Sequence, residues 1–389
     1  MLTKNLTAEN SAAAAAFKND GYAVFPGFCD VHVHFREPGF SYKETIRTGT
    51  LAAAHGGYTD VCTMPNLSPV PDSLENLRAE TDIIDRDACV RVHPYGAITK
   101  GEKGAELADM DALAPKVIAF SDDGRGVQDE GMMRAAMKKA ALLGKIIAAH
   151  CEVDSLVRGG CVNECTYAFE HGIAGISNES EWREIERDVK LADETGCSFH
   201  ICHISTKESV SIIRDAKQSG VDVTCETAPH YLLLDDSFLE DDGRFKMNPP
   251  LRDRRDREAL VEAAADGTID IIATDHAPHT PEEKSRGLEK SPFGIVGIET
   301  AFPLLYTGLV LKGEITLPRL LEMLTDAPRR RFGITEDTGF TVFDLETEYA
   351  IDPREFLSMG KSTPFEGMRV KGKCIATYLN GEYVYGENA

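Results

Sequence analysis

Short apolar runs alternate with amphipathic stretches along most of the chain, beginning near residue 24. The runs are often β-branched and end in polar residues or in Gly and Pro, which is typical of buried strands that lead into loops. They predict eight strands, over Val24–His34, Thr59–Pro65, Val90–Ile98, Lys116–Asp123, Ile146–Glu152, Ser198–Ser205, Val221–His230 and Ile269–Ala277.

The amphipathic stretches between these runs have helical spacing and helix-forming residues. They predict helices over Tyr42–His55, Ser73–Asp85, Gly104–Leu113, Gly131–Leu143, Glu181–Thr195, Ser209–Gly220 and Arg255–Asp266, and two more over Glu299–Lys312 and Leu317–Arg331. Eight strands, each followed by a helix or a long loop, predict a TIM-type (β/α)8 barrel. A doubly wound open sheet is the alternative, but it requires a Gly-rich turn after the first strand, and the sequence has none there.

The C-terminal part changes character. Phe340–Phe343, Tyr349–Ile351 and Met368–Tyr385 alternate like antiparallel strands, and Asn380-Gly381 has the sequence of a hairpin turn. The fold class is therefore α/β, a barrel that carries a small C-terminal β appendage.

This pattern divides the chain into three parts. Residues 1–20 are polar and alanine-rich and are interpreted as an N-terminal arm, residues 21–335 as the barrel, and residues 336–389 as the β appendage.

Composition narrows the classes of function. The chain has 389 residues, 42% of them hydrophobic and 27% charged, which indicates an ordinary globular protein. A net charge of −22 argues against nucleic acid and membrane surfaces as partners, because both would be repelled. An acidic protein that binds an anionic small molecule must supply positive charge locally, through an Arg or a metal in a cleft.

The ten cysteines are scattered, several of them within apolar runs. With no secretory signal and no apolar stretch long enough to cross a bilayer, they indicate reduced thiols and a cytoplasmic location. Cys161 and Cys165 are interpreted as loop thiols rather than as half of a structural zinc site, because no second pair lies nearby.

Candidate chemistry begins at the first strand. His32 and His34 share one face of that strand, because successive side chains alternate, and Arg36 lies two residues beyond them. Two imidazoles beside a guanidinium suit a divalent metal next to an anchor for an anionic substrate. A single His-x-His pair is weak evidence for a metal site, so the case depends on the residues at the ends of the other strands.

The active site of such a barrel lies at the C-terminal ends of the strands. All eleven histidines precede residue 280, and most fall on these ends. Four histidines and two aspartates there can hold two zinc ions, which can share a water, lower its pKa and polarise a carbonyl. We expect His55, His93 and His171 to be surface or core residues, and His200 to lie outside the metal site.

Several motifs resemble the signature of dihydroorotases in the amidohydrolase superfamily, from about Val24 to Tyr385. They are Phe25–Gly39, Met64-Pro65-Asn66, Phe120–Gly124, Ala149–Glu152, Cys202–Thr206, Asn248–Arg252, Thr274–His279 and Pro292–Thr300. The resemblance implies a metal-dependent cyclic amide hydrolase that converts N-carbamoyl-L-aspartate to L-dihydroorotate and back in pyrimidine biosynthesis. Aspartate transcarbamoylase complexes or homodimers are the assemblies it implies.

The resemblance also assigns roles to individual residues. His32 and His34 correspond to ligands of a first zinc, His150 and His203 to ligands of a second, and Asp123 to the bridging carboxylate.

Asp275 corresponds to a residue on the first zinc's side that acts as general base and acid. The remaining matches correspond to residues that hold the substrate carboxylate and ring amides: Arg36, Asn66, Asn248, His279 and the backbone of Phe293 and Gly294. The segment His279–Pro292 is expected to form a mobile loop at the mouth of the site.

Two departures from related enzymes matter. Hydantoinases bridge their metals with a carboxylated lysine, whereas the only lysine of the fourth strand here is Lys116, at its start. This argues against hydantoinase or allantoinase activity, which stays the alternative within enzymes. A non-catalytic dihydroorotase-like scaffold for aspartate transcarbamoylase is the other rival, but such proteins lose ligands and this chain keeps every one.

The second departure is the short segment before the first strand. Relatives begin with several strands that join the C-terminal ones, so we expect the β appendage to be incomplete, with an edge covered by the arm or by another subunit.

Overall fold

The computed structural model describes residues 14, 15, 17, 18, 20–336 and 338–386. Its strands are β1 (Ala23–Pro26), β2 (Phe28–Val33), β3 (Tyr58–Thr63), β4 (Arg91–Pro94), β5 (Gly96–Ala97), β6 (Phe120–Ser121), β7 (Ile147–Ala149), β8 (Val162–Asn163), β9 (Gly175–Ile176), β10 (Phe199–Ile201), β11 (Val223–Thr227), β12 (Ile271–Ile272), β13 (Phe340–Ala350), β14 (Arg369–Leu379) and β15 (Glu382–Tyr385).

The α-helices of the described residues from Ile46 onward are α1 (Ile46–His55), α2 (Leu74–Asp87), α3 (Met110–Leu113), α4 (Glu130–Leu143), α5 (Asp154–Val157), α6 (Thr166–His171), α7 (Glu179–Thr195), α8 (Lys207–Gln218), α9 (Pro229–Leu233), α10 (Arg254–Asp266), α11 (Pro281–Lys284), α12 (Gly287–Lys290), α13 (Ala301–Leu305), α14 (Leu317–Leu324) and α15 (Asp326–Phe332). None of the helices that the structure describes is both long and apolar enough to cross a membrane.

Eight parallel strands close into a barrel. One sheet has the order β2-β3-β4 and the other β5-β6-β7-β10-β11-β12. Only Tyr95 separates β4 from β5; its N–H donates to Thr63 O (3.0 Å), and the next N–H, of Gly96, donates to Ala119 O (3.0 Å). The two short strands therefore act as one barrel strand that passes from one neighbour to the next.

The barrel closes between its first and last strands. Val33 and His276 form a parallel bridge, and His34 N donates to His276 O at 2.8 Å. Just below, the buried Asp30 carboxylate accepts hydrogen bonds from the backbone N–H and the hydroxyl of Thr274, the latter at 2.6 Å. The predicted TIM-type barrel is thus confirmed.

The core has two layers. Small and medium side chains, among them Cys29, Val31 and Ala148, fill the inside of the barrel, and Phe332 of α15 packs against this cluster. A larger cluster lies between the barrel and the surrounding helices. Filling the barrel in this way leaves its C-terminal mouth as the place where polar side chains converge.

The C-terminal strands form an antiparallel sheet of the order β1-β13-β14-β15, which confirms the β appendage. The predicted first strand, Val24–His34, is therefore two strands that belong to different sheets. Gly27 lies between the two strands. A larger residue does not fit there, because a Cβ at this position would lie 2.3 Å from the Thr59 side chain and 2.4 Å from Thr338 O.

Most of the predicted N-terminal arm lies outside the described residues. Ala14, which is described, is buried against Val24 and Phe340 of the appendage sheet. The division of the chain at residues 20 and 335 stays a prediction, and residues 23–26 join the sheet of the C-terminal strands.

Five further predicted elements differ from the structure. Of Gly104–Leu113 only α3 is helical, and Glu299–Lys312 is shortened to α13, which continues as a π-helical turn over Tyr306–Val310. Leu317–Arg331 breaks into α14 and α15, because Pro328 has no N–H to donate and its ring clashes with the carbonyl four residues earlier. The predicted strands Phe340–Phe343 and Tyr349–Ile351 fall on the single bulged strand β13, which ends one residue before Ile351.

Candidate metal centre and substrate cavity

Six buried side chains meet at the C-terminal mouth of the barrel. Each lies at the end of a barrel strand or directly after it: His32 and His34 with β2, Asp123 with β6, His150 with β7, His203 with β10 and Asp275 with β12. His203 (φ 34°) and Asp275 (φ 48°) adopt left-handed backbone conformations that side chains other than glycine rarely occupy, as does Arg36 nearby (φ 62°). Such strain is concentrated at functional sites.

The first group consists of His32, His34 and Asp275. Asp275 Oδ1 lies 3.6 Å from His32 Nε2 and 3.1 Å from His34 Nε2. Asp123 Oδ1 lies 3.4 Å from His32 Nε2, and its Oδ2 lies 3.4 Å from His34 Nε2.

The second group consists of His150, His203 and again Asp123. His150 Nδ1 lies 3.1 Å from His203 Nε2, and Asp123 Oδ1 lies 3.5 Å from His203 Nε2 and 4.0 Å from His150 Nδ1. Each group of three brings its ligand atoms within 4.8 Å of one another, and Asp123 has contacts in both.

The donors fit metal ions better than they fit one another. Ligands at about 2.05 Å from a tetrahedral zinc lie about 3.3 Å apart, close to most of the separations above. His32 Nε2 and Asp123 Oδ1 are buried without a hydrogen-bond partner among the described residues. Orphaned polar atoms inside a protein are costly, and a cation between them removes that cost.

The outer ring nitrogens of the first group are anchored. His32 Nδ1 donates to Glu226 Oε1 (2.7 Å) and His34 Nδ1 to Asn66 Oδ1 (2.8 Å). In the neutral rings these bonds put the proton on Nδ1, so that the lone pair of each Nε2 is directed at the cluster, as a metal ligand requires. His200 stays outside the group: its Nε2 lies 3.1 Å from Glu226 Oε2.

The electrostatics of the cluster favour positive charge. Burial alone would lower the pKa of His32, but the carboxylates of Asp123 and Glu226 raise it well above its ordinary value. Burial would likewise raise the pKa of Asp123, but the imidazoles of His32, His203 and His34 hold it well below its usual range. An ion placed among these groups meets a strongly negative environment.

A cavity of about 140 Å³ opens beside the six side chains. Its lining contains most of the residues expected to contact substrate: Arg36, Asn66, Asn248, Phe293 and Gly294. Arg36 Nε donates to Pro278 O at 3.2 Å, which orients the guanidinium. The cavity is small, which suits a metabolite rather than a polymer.

His279, the sixth expected contact, lies next to the cavity within a chain of hydrogen bonds. Its Nδ1 accepts from Lys43 Nζ (3.2 Å), and its Nε2 donates to Phe293 O (2.8 Å). Burial, Arg36 and Lys43 together lower the pKa of His279 to about 3, so the imidazole is neutral. Gly294 N donates to Lys246 O at 3.1 Å, so this amide already has a protein partner.

The segment His279–Pro292, expected to be mobile, contains two short helices and a buried anchor. Lys284 Nζ donates to three carbonyl oxygens, those of Lys246, Pro292 and Gly294, at 2.6 to 3.1 Å. These bonds fix the loop against the cavity wall.

Sequence reasoning overlooked three residues that support the site: Glu226, Lys43 and Glu152. Glu226 is a fully buried acidic residue inside a predicted strand, and an unpaired charge there would be costly. That mismatch was the available signal. Glu152 ends the predicted strand Ile146–Glu152 and belongs to the motif Ala149–Glu152, so its position was also a signal, whereas Lys43 has no comparable mark in the sequence.

The comparisons with known proteins agree with this geometry. A family profile described as "Dihydro-orotase-like" matches residues 21–209. The dihydroorotase of Bacillus cytotoxicus is 51% identical over 395 residues, which cover 99% of this chain and 91% of that protein. The dihydroorotase of Bacillus anthracis is 49% identical over 393 residues, with the same coverage.

The chain belongs to the dihydroorotase family. Solved structures of hydantoinases have a similar fold. L-hydantoinase (dihydropyrimidinase) from Arthrobacter aurescens superposes with a TM-score of 0.84 at 25% identity, over 95% of this chain and 87% of that chain. D-hydantoinase (dihydropyrimidinase) from a Thermus species gives 0.82 at 26% identity, over 95% and 86%. The family is one of metal-dependent cyclic amide hydrolases, so the predicted enzyme class is confirmed.

Proposed function

We propose that this chain is a zinc-dependent dihydroorotase with two zinc ions per subunit, which converts N-carbamoyl-L-aspartate to L-dihydroorotate and back in pyrimidine biosynthesis. One observation carries the proposal: six side chains from five strand ends form two groups of metal-ligand donors that meet at Asp123. The identity of about 50% with relatives named dihydroorotase supports the choice of substrate.

In this proposal His32, His34 and Asp275 would hold one zinc, His150 and His203 would hold the other, and Asp123 would be a ligand common to both. When bound, the metal pair supplies Lewis acidity, which polarises a carbonyl and lowers the pKa of a water to near neutrality.

Asp275 moves the proton. Burial would raise the pKa of this carboxyl, but the close contact with His34 Nε2 and the other nearby imidazoles hold it well below its usual range, so it is ionised at neutral pH. During hydrolysis Asp275 takes the proton from the attacking water as the carbonyl next to the ring methylene is attacked. It then delivers this proton to the ring nitrogen as the C–N bond breaks.

The biosynthetic direction uses the same groups in reverse. Asp275 removes a proton from the ureido nitrogen of carbamoyl aspartate as this nitrogen attacks the carbon of the side-chain carboxyl group. Asp275 passes that proton to a carboxyl oxygen, which takes a second proton from solvent and leaves as water. A single proton-transfer residue is sufficient, because every step is the reverse of a hydrolytic one.

Arg36 binds the substrate carboxylate in this proposal, through two parallel hydrogen bonds of its guanidinium. Lys43 adds positive charge nearby, with its Nζ on His279. Asn66, Asn248, His279 and the backbone of Phe293 and Gly294 complete the contacts to the carboxylate and ring amides.

The assembly is part of the proposal as well. We propose a homodimer or a complex with aspartate transcarbamoylase, and sedimentation with and without that enzyme distinguishes the two.

Zinc analysis combined with ultraviolet monitoring of dihydroorotate hydrolysis tests the function. Two zinc ions per chain and turnover of dihydroorotate, with none of hydantoin or allantoin, are expected. Turnover of hydantoin alone would assign a different cyclic amide, and bound zinc with no turnover of any of the three would favour a scaffold.

A further inference from the structure

Glu152 contacts both halves of the candidate site. It follows β7, two residues after His150, and is partly buried. Its Oε2 lies 3.1 Å from Asn248 Nδ2 and 3.6 Å from His150 Nε2. One carboxylate oxygen thus faces a donor of the metal group and an amide of the cavity wall.

The contact with His150 concerns the outer side of that ring. Its Nδ1 faces His203 and Asp123, so Nδ1 is the atom that carries the lone pair toward a metal. The proton of the neutral ring then lies on Nε2, which faces Glu152 Oε2 at 3.6 Å, an ion-pair contact longer than a hydrogen bond, and Asn248 Nδ2 at 3.5 Å. A carboxylate behind a ligating histidine fixes its tautomer and ring orientation.

The contact with Asn248 decides which end of the amide faces the cavity. A carboxylate only accepts hydrogen bonds, so the amide nitrogen must point to Glu152. The Asn248 oxygen is left on the other side, buried and without a hydrogen-bond partner among the described residues. Asn248 lines the cavity, and its oxygen can be satisfied there only by a donor.

We propose that Glu152 is a positioning residue that sets the tautomer of His150 and turns the Asn248 oxygen toward the substrate, so that the site selects ligands with an N–H at this point. This inference rests on the proposed function for its substrate part. Cyclic amides and ureides carry such an N–H, whereas the corresponding esters and lactones do not.

A double-mutant cycle tests the substrate part. Glu152→Ala is expected to raise KM for dihydroorotate about tenfold, the cost of misorienting one buried hydrogen-bond partner. Asn248→Ala raises KM on its own, and adding Glu152→Ala to it should change KM little further, because Glu152 acts on substrate through Asn248. Effects on KM that multiply in the double variant would overturn this part.

Zinc retention tests the metal part and does not depend on turnover. After dialysis against a chelator, Glu152→Ala should bind its second zinc about 10- to 100-fold more weakly than wild type. This loss should persist in the Asn248→Ala background, because His150 is a separate contact. Wild-type retention in Glu152→Ala would overturn the role in orienting His150.

Two further variants serve as controls. Glu152→Gln, whose amide oxygen can occupy the same place, should recover most of the KM and most of the zinc binding. Asp154→Ala removes an exposed carboxylate two residues away and should match wild type. A wild type that binds zinc but does not hydrolyse dihydroorotate would refute the proposed function, while the retention experiment would still decide the role of Glu152.

Discussion

The two ends of the barrel each contain a buried aspartate, and the two are used in opposite ways. At the N-terminal end Asp60 accepts from Arg91 Nε (2.7 Å) and Arg329 (2.6 Å), and His93 Nε2 lies 3.1 Å away. At the C-terminal end Asp123 faces imidazoles, and one of its oxygens has no hydrogen-bond partner among the described residues.

Both carboxyls have a pKa below the ordinary value, but for different reasons. Burial would raise the pKa of Asp60, and hydrogen bonds from His93 and Arg91 with the charge of Arg329 more than offset it. Around Asp123 the offset comes from histidines, which are cationic only when protonated. The N-terminal end of the barrel, called the lower end below, supplies its own cations. The C-terminal end, called the upper end, presents metal-ligand atoms whose charge an added cation would neutralise. The paired carboxylate of Asp60 stabilises the fold, whereas the incompletely paired carboxylate of Asp123 is available to bind an ion.

The largest effect is expected at the upper end. Asp275→Ala should reduce turnover of dihydroorotate by about 10⁴-fold, the upper range for loss of a general acid–base group, while substrate binding measured by calorimetry is largely kept. Circular dichroism should be unchanged. Turnover like that of wild type would exclude the assigned role.

The lower end should respond in stability instead. Asp60→Ala leaves Arg329 buried without its partner and should lower the free energy of unfolding by about 3–5 kcal/mol in urea titrations. Zinc content and turnover per folded molecule should not change. Asp111→Ala, which removes an exposed carboxylate paired with Lys139, is the matched control and should shift stability by less than about 0.5 kcal/mol. A loss of zinc in Asp60→Ala would break the division between the two ends.

A subtler change at the upper end separates charge from geometry. Arg36→Lys keeps the positive charge but loses the paired hydrogen bonds of the guanidinium, so KM should rise about tenfold. The rate at saturating substrate should be nearly unchanged, since Arg36 lies away from the reacting carbonyl in the proposed complex. An equal fall in kcat would show instead that Arg36 acts on the reacting atoms.

A third buried carboxylate, Glu80 on α2, extends the comparison. One of its oxygens accepts from the Thr63 hydroxyl and the other has no hydrogen-bond partner among the described residues, and burial raises its pKa to about 8. An unfolded glutamate has a pKa of about 4.3, so between pH 4.3 and 8 the folded state binds more protons and stability falls as pH rises.

Glu80→Gln removes this dependence and should be more stable than wild type by about 1 kcal/mol at pH 5, and by more as the pH rises further, in urea titrations. Near pH 4 the two should differ little. Glu75→Gln on the exposed side of the same helix is the control, with no expected pH-dependent difference.

The smallest effect concerns independence of the two ends. Asp60 is in register with Cys29 on β2, and His32 lies three residues further along that strand, about 10 Å at strand rise. The stabilisation by added zinc should therefore be the same in wild type and Asp60→Ala within about 0.5 kcal/mol, measured by thermal unfolding. A larger difference would show that the ends are coupled.

The sequence predicted the barrel well because its strands are buried and their polar ends are conspicuous. His32 and His203 could be predicted in this way, since polar groups at the ends of apolar runs have few structural explanations. The choice of Asp123 over its neighbour Asp122 needed the family resemblance. The break between α14 and α15 depends on Pro328, whose effect could have been read from the sequence, whereas the short α3 has no equally clear signal.

What the sequence could not supply is which polar groups pair across the barrel. Glu226 and Glu152 bind histidines from other strands or orient an amide almost a hundred residues away. Such pairings depend on strand register, which no local pattern encodes. The split of the first predicted strand at Gly27 likewise results from a close approach to Thr59 and Thr338 that only the folded chain creates.

The hydrogen bonds between Asp30 and Thr274, which help to close the barrel, have a consequence for the protein during its synthesis. The proposed ligands of the first zinc come from both strands at this closure: His32 and His34 follow Asp30, and Asp275 follows Thr274. Asp30 and Thr274 are 244 residues apart in the chain. The ribosome must therefore release at least the first 275 of the 389 residues before that pocket exists. Shorter nascent chains would therefore neither bind metal at this site nor turn over substrate.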